Sequence, residues 1–149
     1  MNRRTFLGTA CFAGAVSLGG CLSDGGGDTP ADPTVTTTEF TVLGGRSGTE
    51  VDEATVAVEG TTVTVEGTIW GADGCQTAEL AGADYDAEAD ELTVAVAEAT
   101  REDAGNACTT AIVETEYRAT VEFEGGLPDS VVVTHDHGDG PQEVTTTSP

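Results

Sequence analysis

From residue 39 to residue 136 the chain alternates apolar and polar residues with a period of two, the pattern of strands with one buried face. Phe40 and Val42 open a short run that ends at Gly44-Gly45. Ala54, Val56 and Val58 form one face of a second run, closed by Gly60-Thr61. In the third, Val63, Val65, Gly67 and Ile69 alternate with Thr62, Thr64, Glu66 and Thr68, and the two-residue punctuation before it predicts a hairpin. Residues 71–74 predict a turn leading through Cys75 into a strand at 77–80. After another turn at 86–90, Leu92, Val94 and Val96 supply the next inward face. Residues 99–106 carry helical character, one or two turns ahead of Cys108. Tyr117, Ala119, Val121 and Phe123 then alternate with Arg118, Thr120, Glu122 and Glu124. A turn at 125–128 precedes a last strand at 129–136, where Val131, Val132 and Val133 are apolar on both faces and so belong centrally in a sheet.

About seven short strands at roughly ten-residue spacing, separated by Gly/Asp turns, predict an all-β fold, an antiparallel β-sandwich over residues 39–137. It is immunoglobulin-like in architecture only. Trp70 precedes Cys75 instead of lying between Cys75 and Cys108, and no tyrosine sits two residues before Cys108. Residues 138–149 are polar without alternation and read as a disordered tail.

Charge changes the picture next. All 27 acidic residues follow Cys21, against Arg46, Arg101 and Arg118, which leaves a net charge of −24 and no lysine anywhere. A disordered acidic chain would lack the apolar alternation, so the acid reads as the coat of a folded domain in a high-salt environment. At molar salt the Debye length falls to roughly 3 Å and neighbouring carboxylates stop repelling. Nucleic acid is excluded as a partner, because no basic patch exists to release counterions.

The N-terminus sets the address. Arg3-Arg4 ahead of Phe6-Leu7, the apolar run of residues 10–18 and Leu18-Gly19-Gly20-Cys21 form a twin-arginine n-region, an h-region and a lipobox. The run is too short to span a bilayer, so residues 1–20 read as a removable Tat lipoprotein signal peptide with lipidation at Cys21. Residues 21–38 combine Gly, Pro, Asp and Thr without periodicity and read as a flexible acidic tether. Cys11 leaves with the signal and Cys21 carries lipid, so Cys75 and Cys108 remain; a pair in an exported protein reads first as a disulfide, with two free buried thiols as the alternative. These features together resemble a haloarchaeal Tat-exported lipoprotein. Gly74-Cys75, residues 108–112 and residues 117–136 (YRATVEFEGGLPDSVVVTHD) resemble an uncharacterised family of such proteins. The resemblance covers nearly the whole chain and implies no activity and no site residues.

Candidate chemistry is sparse. His135 and His137, the chain's two histidines, would face the same side of an extended strand, with Asp139 turning back as a third ligand for Zn²⁺ or Cu²⁺. The plainer reading is a strand that ends in polar residues before a Gly-rich tail. The acids at 84, 86, 88 and 90 begin like an EF-hand loop, but Ala89 and Ala95 occupy the positions that need Gly and Glu, which leaves a solvated hairpin tip. Ser47 lacks the Gly-x-Ser-x-Gly spacing of a nucleophile elbow. Trp70 could stack on a ligand, although a lone Trp at a strand end more often covers the edge of a core. These residues predict a non-enzymatic binding or accessory module without a cofactor. It would be held by lipid on the outer face of the cytoplasmic membrane and face an envelope protein or a small ligand. The alternative is a surface metal-binding protein using His135 and His137.

Overall fold

The computed structural model of the chain describes residues 32–149. The export signal, Cys21 and the start of the tether lie outside the described residues. Eight strands follow one another: β1 (Thr34–Ser47), β2 (Glu53–Glu59), β3 (Thr62–Gly71), β4 (Gln76–Asp86), β5 (Glu91–Thr100), β6 (Val113–Glu124), β7 (Ser130–Asp136) and β8 (Pro141–Thr147). They form two four-stranded sheets, ordered β1-β6-β3-β2 and β4-β5-β7-β8. The predicted all-β sandwich with its Cys75–Cys108 disulfide is present, the two Cα atoms 5.4 Å apart.

Alternation builds the interior. Val63, Val65, Ile69, Ala119 and Val121 from the first sheet face Leu92, Val94, Val96, Val131 and Val133 from the second, all fully buried. Burying a Val or Leu side chain contributes roughly 1.5–3 kcal/mol, so this shared layer is what holds the sheets together. The β2–β3 hairpin forms as its pattern predicts, with Glu59 opposite Thr62 and Gly60 at a φ of 61° that glycine accepts without strain.

The structure corrects four readings. The sheets are not antiparallel throughout, because β5 and β7 pair in parallel, Leu92 opposite Val131 and Val94 opposite Val133. Parallel neighbours need a long crossover, and here β6 supplies it by crossing to the other sheet and back. The expected tail at 138–149 contains β8, which pairs with β7 through Thr145–Val133 and Gln142–His135. Backbone pairing needs no apolar side chains, so hydrophobic alternation could not reveal it. Gly138 and Gly140, at φ of 99° and 102°, make the turn, while Asp136 Oδ1 accepts their N–H groups at 2.7 and 3.1 Å. β1 likewise starts inside the expected tether, at Thr34. The helical reading of 99–106 also fails: β5 runs to Thr100 and a loop follows to Val113. Cys75–Cys108 and the bond from Arg101 N–H to the Cys75 carbonyl, 2.8 Å, hold this loop to the β3–β4 turn.

Candidate functional site

Side chains from five elements meet at one end of the sandwich. On β7 the inward parity of Val131 and Val133 continues to His135, which is fully buried, and then past the strand end to His137. On β6 the same parity places Tyr117 inward, opposite Gly67 of β3. A Cβ at Gly67 would collide with the Tyr117 ring and hydroxyl, so this position must lack a side chain for the phenol to lie there. Tyr117 Oη then reaches His135 Nε2 at 2.7 Å, from one sheet to the other.

The opposite nitrogen of His135 meets Asp52, in the loop between β1 and β2. Nδ1 lies 2.8 Å from Asp52 Oδ1. A carboxylate has no hydrogen to give, so Nδ1–H donates to Asp52 and Nε2 accepts the Tyr117 hydroxyl hydrogen. Burial lowers the His135 pKa below 6.5, only partly opposed by the hydrogen bond and charge of Asp52, and so favours this neutral ring. Burial, followed by the Asp52 charge, raises the Tyr117 pKa well above 10 and keeps the phenol a donor.

Asp52 also receives His137 and Trp70. His137 Nε2 is 2.8 Å from Asp52 Oδ2, and Trp70 Nε1 donates to the same oxygen at 3.1 Å. Trp70 lies over His137 with ring centroids 4.5 Å apart and planes 23° apart. On its other side His137 Nδ1 faces Glu98 Oε2, from β5, at 3.4 Å. His137 thus has one carboxylate at each ring nitrogen and the indole of Trp70 against its ring face.

The predicted residues are thus only partly brought together. His135 and His137 do share a side, but the carboxylate between them is that of Asp52. Asp139 stands exposed in the β7–β8 turn. Trp70 is half-buried at its strand end and spends its face on His137. The acidic run near residue 86 is a hairpin tip in which Asp86 Oδ1 accepts the N–H groups of Glu88 and Ala89 at 2.9 and 3.3 Å. Sequence reasoning did not find Asp52, Tyr117 or Glu98. Gly67 opposite a large aromatic was a usable signal for Tyr117; Asp52 and Glu98 were two acids among 27.

Among the described residues, three metal-ligand types lie within 4.8 Å of one another at Asp73, Cys75 and Cys108. Those sulfurs are bonded to each other, and Asp73 Oδ1 accepts the Cys75 N–H at 2.8 Å, so the group caps a turn. The Tyr117–His135–Asp52 series has the hydroxyl–imidazole–carboxylate order of a nucleophilic relay, yet Tyr117 and His135 are both shut off from solvent. What the arrangement does chemically is tie two sheets and one loop together. Fold and site together define a disulfide-bonded β-sandwich braced by a polar chain across its layers. The chain matches no protein-family model, no curated protein and no solved structure.

Proposed function

We propose that the protein is a lipid-anchored β-sandwich, exported by the twin-arginine pathway and held on the outer face of the cytoplasmic membrane through Cys21. There it acts as a non-enzymatic binding or accessory module for an envelope protein or a small ligand. The observation that carries this reading is the use of both histidines, with Asp52, as an internal brace, which leaves recognition to the outer surface. The disulfide supports export, since such bonds persist in oxidising compartments. Two measurements test it. The membrane-extracted protein is expected to begin at Cys21 and carry an added lipid mass, which Cys21→Ser abolishes; an unprocessed, unacylated chain would refute the anchor. Crosslinking on intact cells in molar salt is expected to trap one defined envelope partner, and a protein that crosslinks to nothing and retains no small ligand on purification would refute the module.

A second reading has its own observation: His135 and His137 converge on one carboxylate. A Zn²⁺ or Cu²⁺ ion would have to replace the hydrogens that now bridge these groups, with Asp52 in the place expected for Asp139. Titration in molar salt decides it. Stoichiometric uptake that His135→Ala/His137→Ala abolishes supports a metal protein, and identical traces for both chains remove it.

A further inference from the structure

The outer strands of the two sheets are β1, β2, β4 and β8. An outer strand turns half of its N–H and C=O groups away from the sheet, and these invite a foreign strand unless charge, proline or a bulge blunts the edge. β2 carries Glu53 and Glu59, β4 carries Glu79, Asp84 and Asp86, and β8 opens on Pro141 and carries Glu143. Residues 40–47, the second half of β1, hold no acid and no proline. A bulge interrupts them at Leu43, yet pairing with β6 resumes from Gly44 to Ser47. We infer that this edge is completed by an extended, uncharged segment of a partner protein, with small apolar side chains at alternate positions, which joins the sheet as a further strand.

The edge borders a cleft of about 380 Å³ between β1 and β4, away from the histidines. The chain has 27 acidic residues, and none of them lines this cleft. Val42, Ala111 and Val113 give it apolar surface. Val42 and Leu43, 41% and 49% exposed, are the exposed large apolar side chains among the described residues, and both lie in this half of β1. Thr109 and Ala111 on the opposite wall belong to residues 104–113, the longest uncharged run among the described residues. That wall is fixed by the disulfide and by the bond from Gly74 N–H to the Thr109 carbonyl, 3.0 Å, so it loses little freedom on binding.

Charge selects the occupant. Arg46 is engaged on the outer face of the sheet, where Glu114 accepts Nε at 2.8 Å and Glu116 faces Nη1 at 3.4 Å. A cationic side chain entering the cleft would find no carboxylate there, and a buried charge without a partner is unfavourable. An anionic one would meet only Arg101, which already donates to the Gly74 carbonyl at 2.9 Å, inside a coat of net charge −24. An uncharged segment remains, in keeping with the scarcity of charge in interface cores. Its N–H and C=O groups would pair with those of β1 that face away from β6, and every second side chain would enter the cleft against Val42, Ala111 and Val113. Gly44 and Gly45 leave that stretch of backbone uncovered. Molar salt screens ionic attraction but leaves backbone bonds and apolar contact in force.

This docking edge rests on the binding-module reading, and the two fail separately. Full-length protein in molar salt is titrated with a blocked heptapeptide of alternating Thr and Val, with amide hydrogen exchange as the readout. One-to-one binding is expected, with exchange slowed at amides of residues 40–47. A peptide with Pro in place of its central Val, or with Glu in place of each Thr, should bind about tenfold more weakly. Val42→Asp should weaken binding as much, whereas Ala57→Asp, the same charge on the β2 edge, should not. If Val42→Asp does not fold, Ala111→Asp at an exposed position on the opposite wall carries the same expectation. No binding, protection on β2 or β8 instead, or equal binding of the Pro peptide overturns the inference. Protection of 40–47 before peptide is added also overturns it, since a second copy or the chain's own N-terminal segment would then cover the edge. If the protein still crosslinks to a defined envelope partner after any such result, the module stands and only this edge is lost.

Discussion

The phenol of Tyr117 on β6 and Nε2 of His135 on β7, 2.7 Å apart, form a hydrogen bond that joins the two sheets inside the sandwich. Tyr117→Phe keeps the ring and removes that donor, leaving a buried nitrogen unpaired. The loss is expected to be about 1–3 kcal/mol. Gly67→Ala should cost more, because the added methyl pushes the Tyr117 ring from its seat. Chemical denaturation in molar salt, read by fluorescence of the single Trp70, measures both. A Tyr117→Phe protein as stable as the parent would show that the bond contributes nothing.

Acid should weaken the fold through His135. Its folded pKa lies below the unfolded 6.5, so the unfolded chain binds the extra proton. The stability His135 contributes is therefore complete above about pH 6.5 and is lost as pH falls from there toward the folded value. In molar salt, where carboxylate repulsion is screened, the parent should lose more stability between pH 7 and 5 than His135→Gln does. Parallel profiles for the two chains would contradict this.

At low salt the acidic coat should dominate instead. With a net charge of −24 after Cys21, dialysis toward ~10 mM salt extends the Debye length to roughly 30 Å and brings most carboxylates within range of each other. β-sheet circular dichroism is expected to fall, and molar salt to restore it. An unchanged melting temperature across that range would rule out salt dependence.

The disulfide closes a 33-residue separation between the β3–β4 turn and the loop before β6. Cys75→Ser is expected to lower stability by roughly 2–5 kcal/mol. Proteolysis should first appear at the loop between Thr100 and Val113, which that bond pins. Cleavage beginning elsewhere would mean the loop is held by its other contacts.

The sequence by itself determined the layers. Period-two alternation in β2, β3, β5 and β6 is dictated by one face meeting an interior and the other water, so the strands and their inward residues could be read directly. Cys75 and Cys108 were legible for the same local reason: after the signal and lipid assignments they were the cysteines left over. Which strands became neighbours was a different matter. The parallel β5–β7 pair depends on backbone hydrogen bonds between distant segments, and the addition of β8 on such bonds across a short turn; neither carries a side-chain pattern. The polar chain was hidden more deeply. His135 could be placed on the same side as His137, but its partners come from a loop 83 residues earlier and a strand 18 residues before it. Asp52 reads like any other acid in a coat of acids. Only the packing of one sheet on the other brings its carboxylate between two imidazoles and an indole, because burial leaves His135 no water and makes these few groups its sole partners.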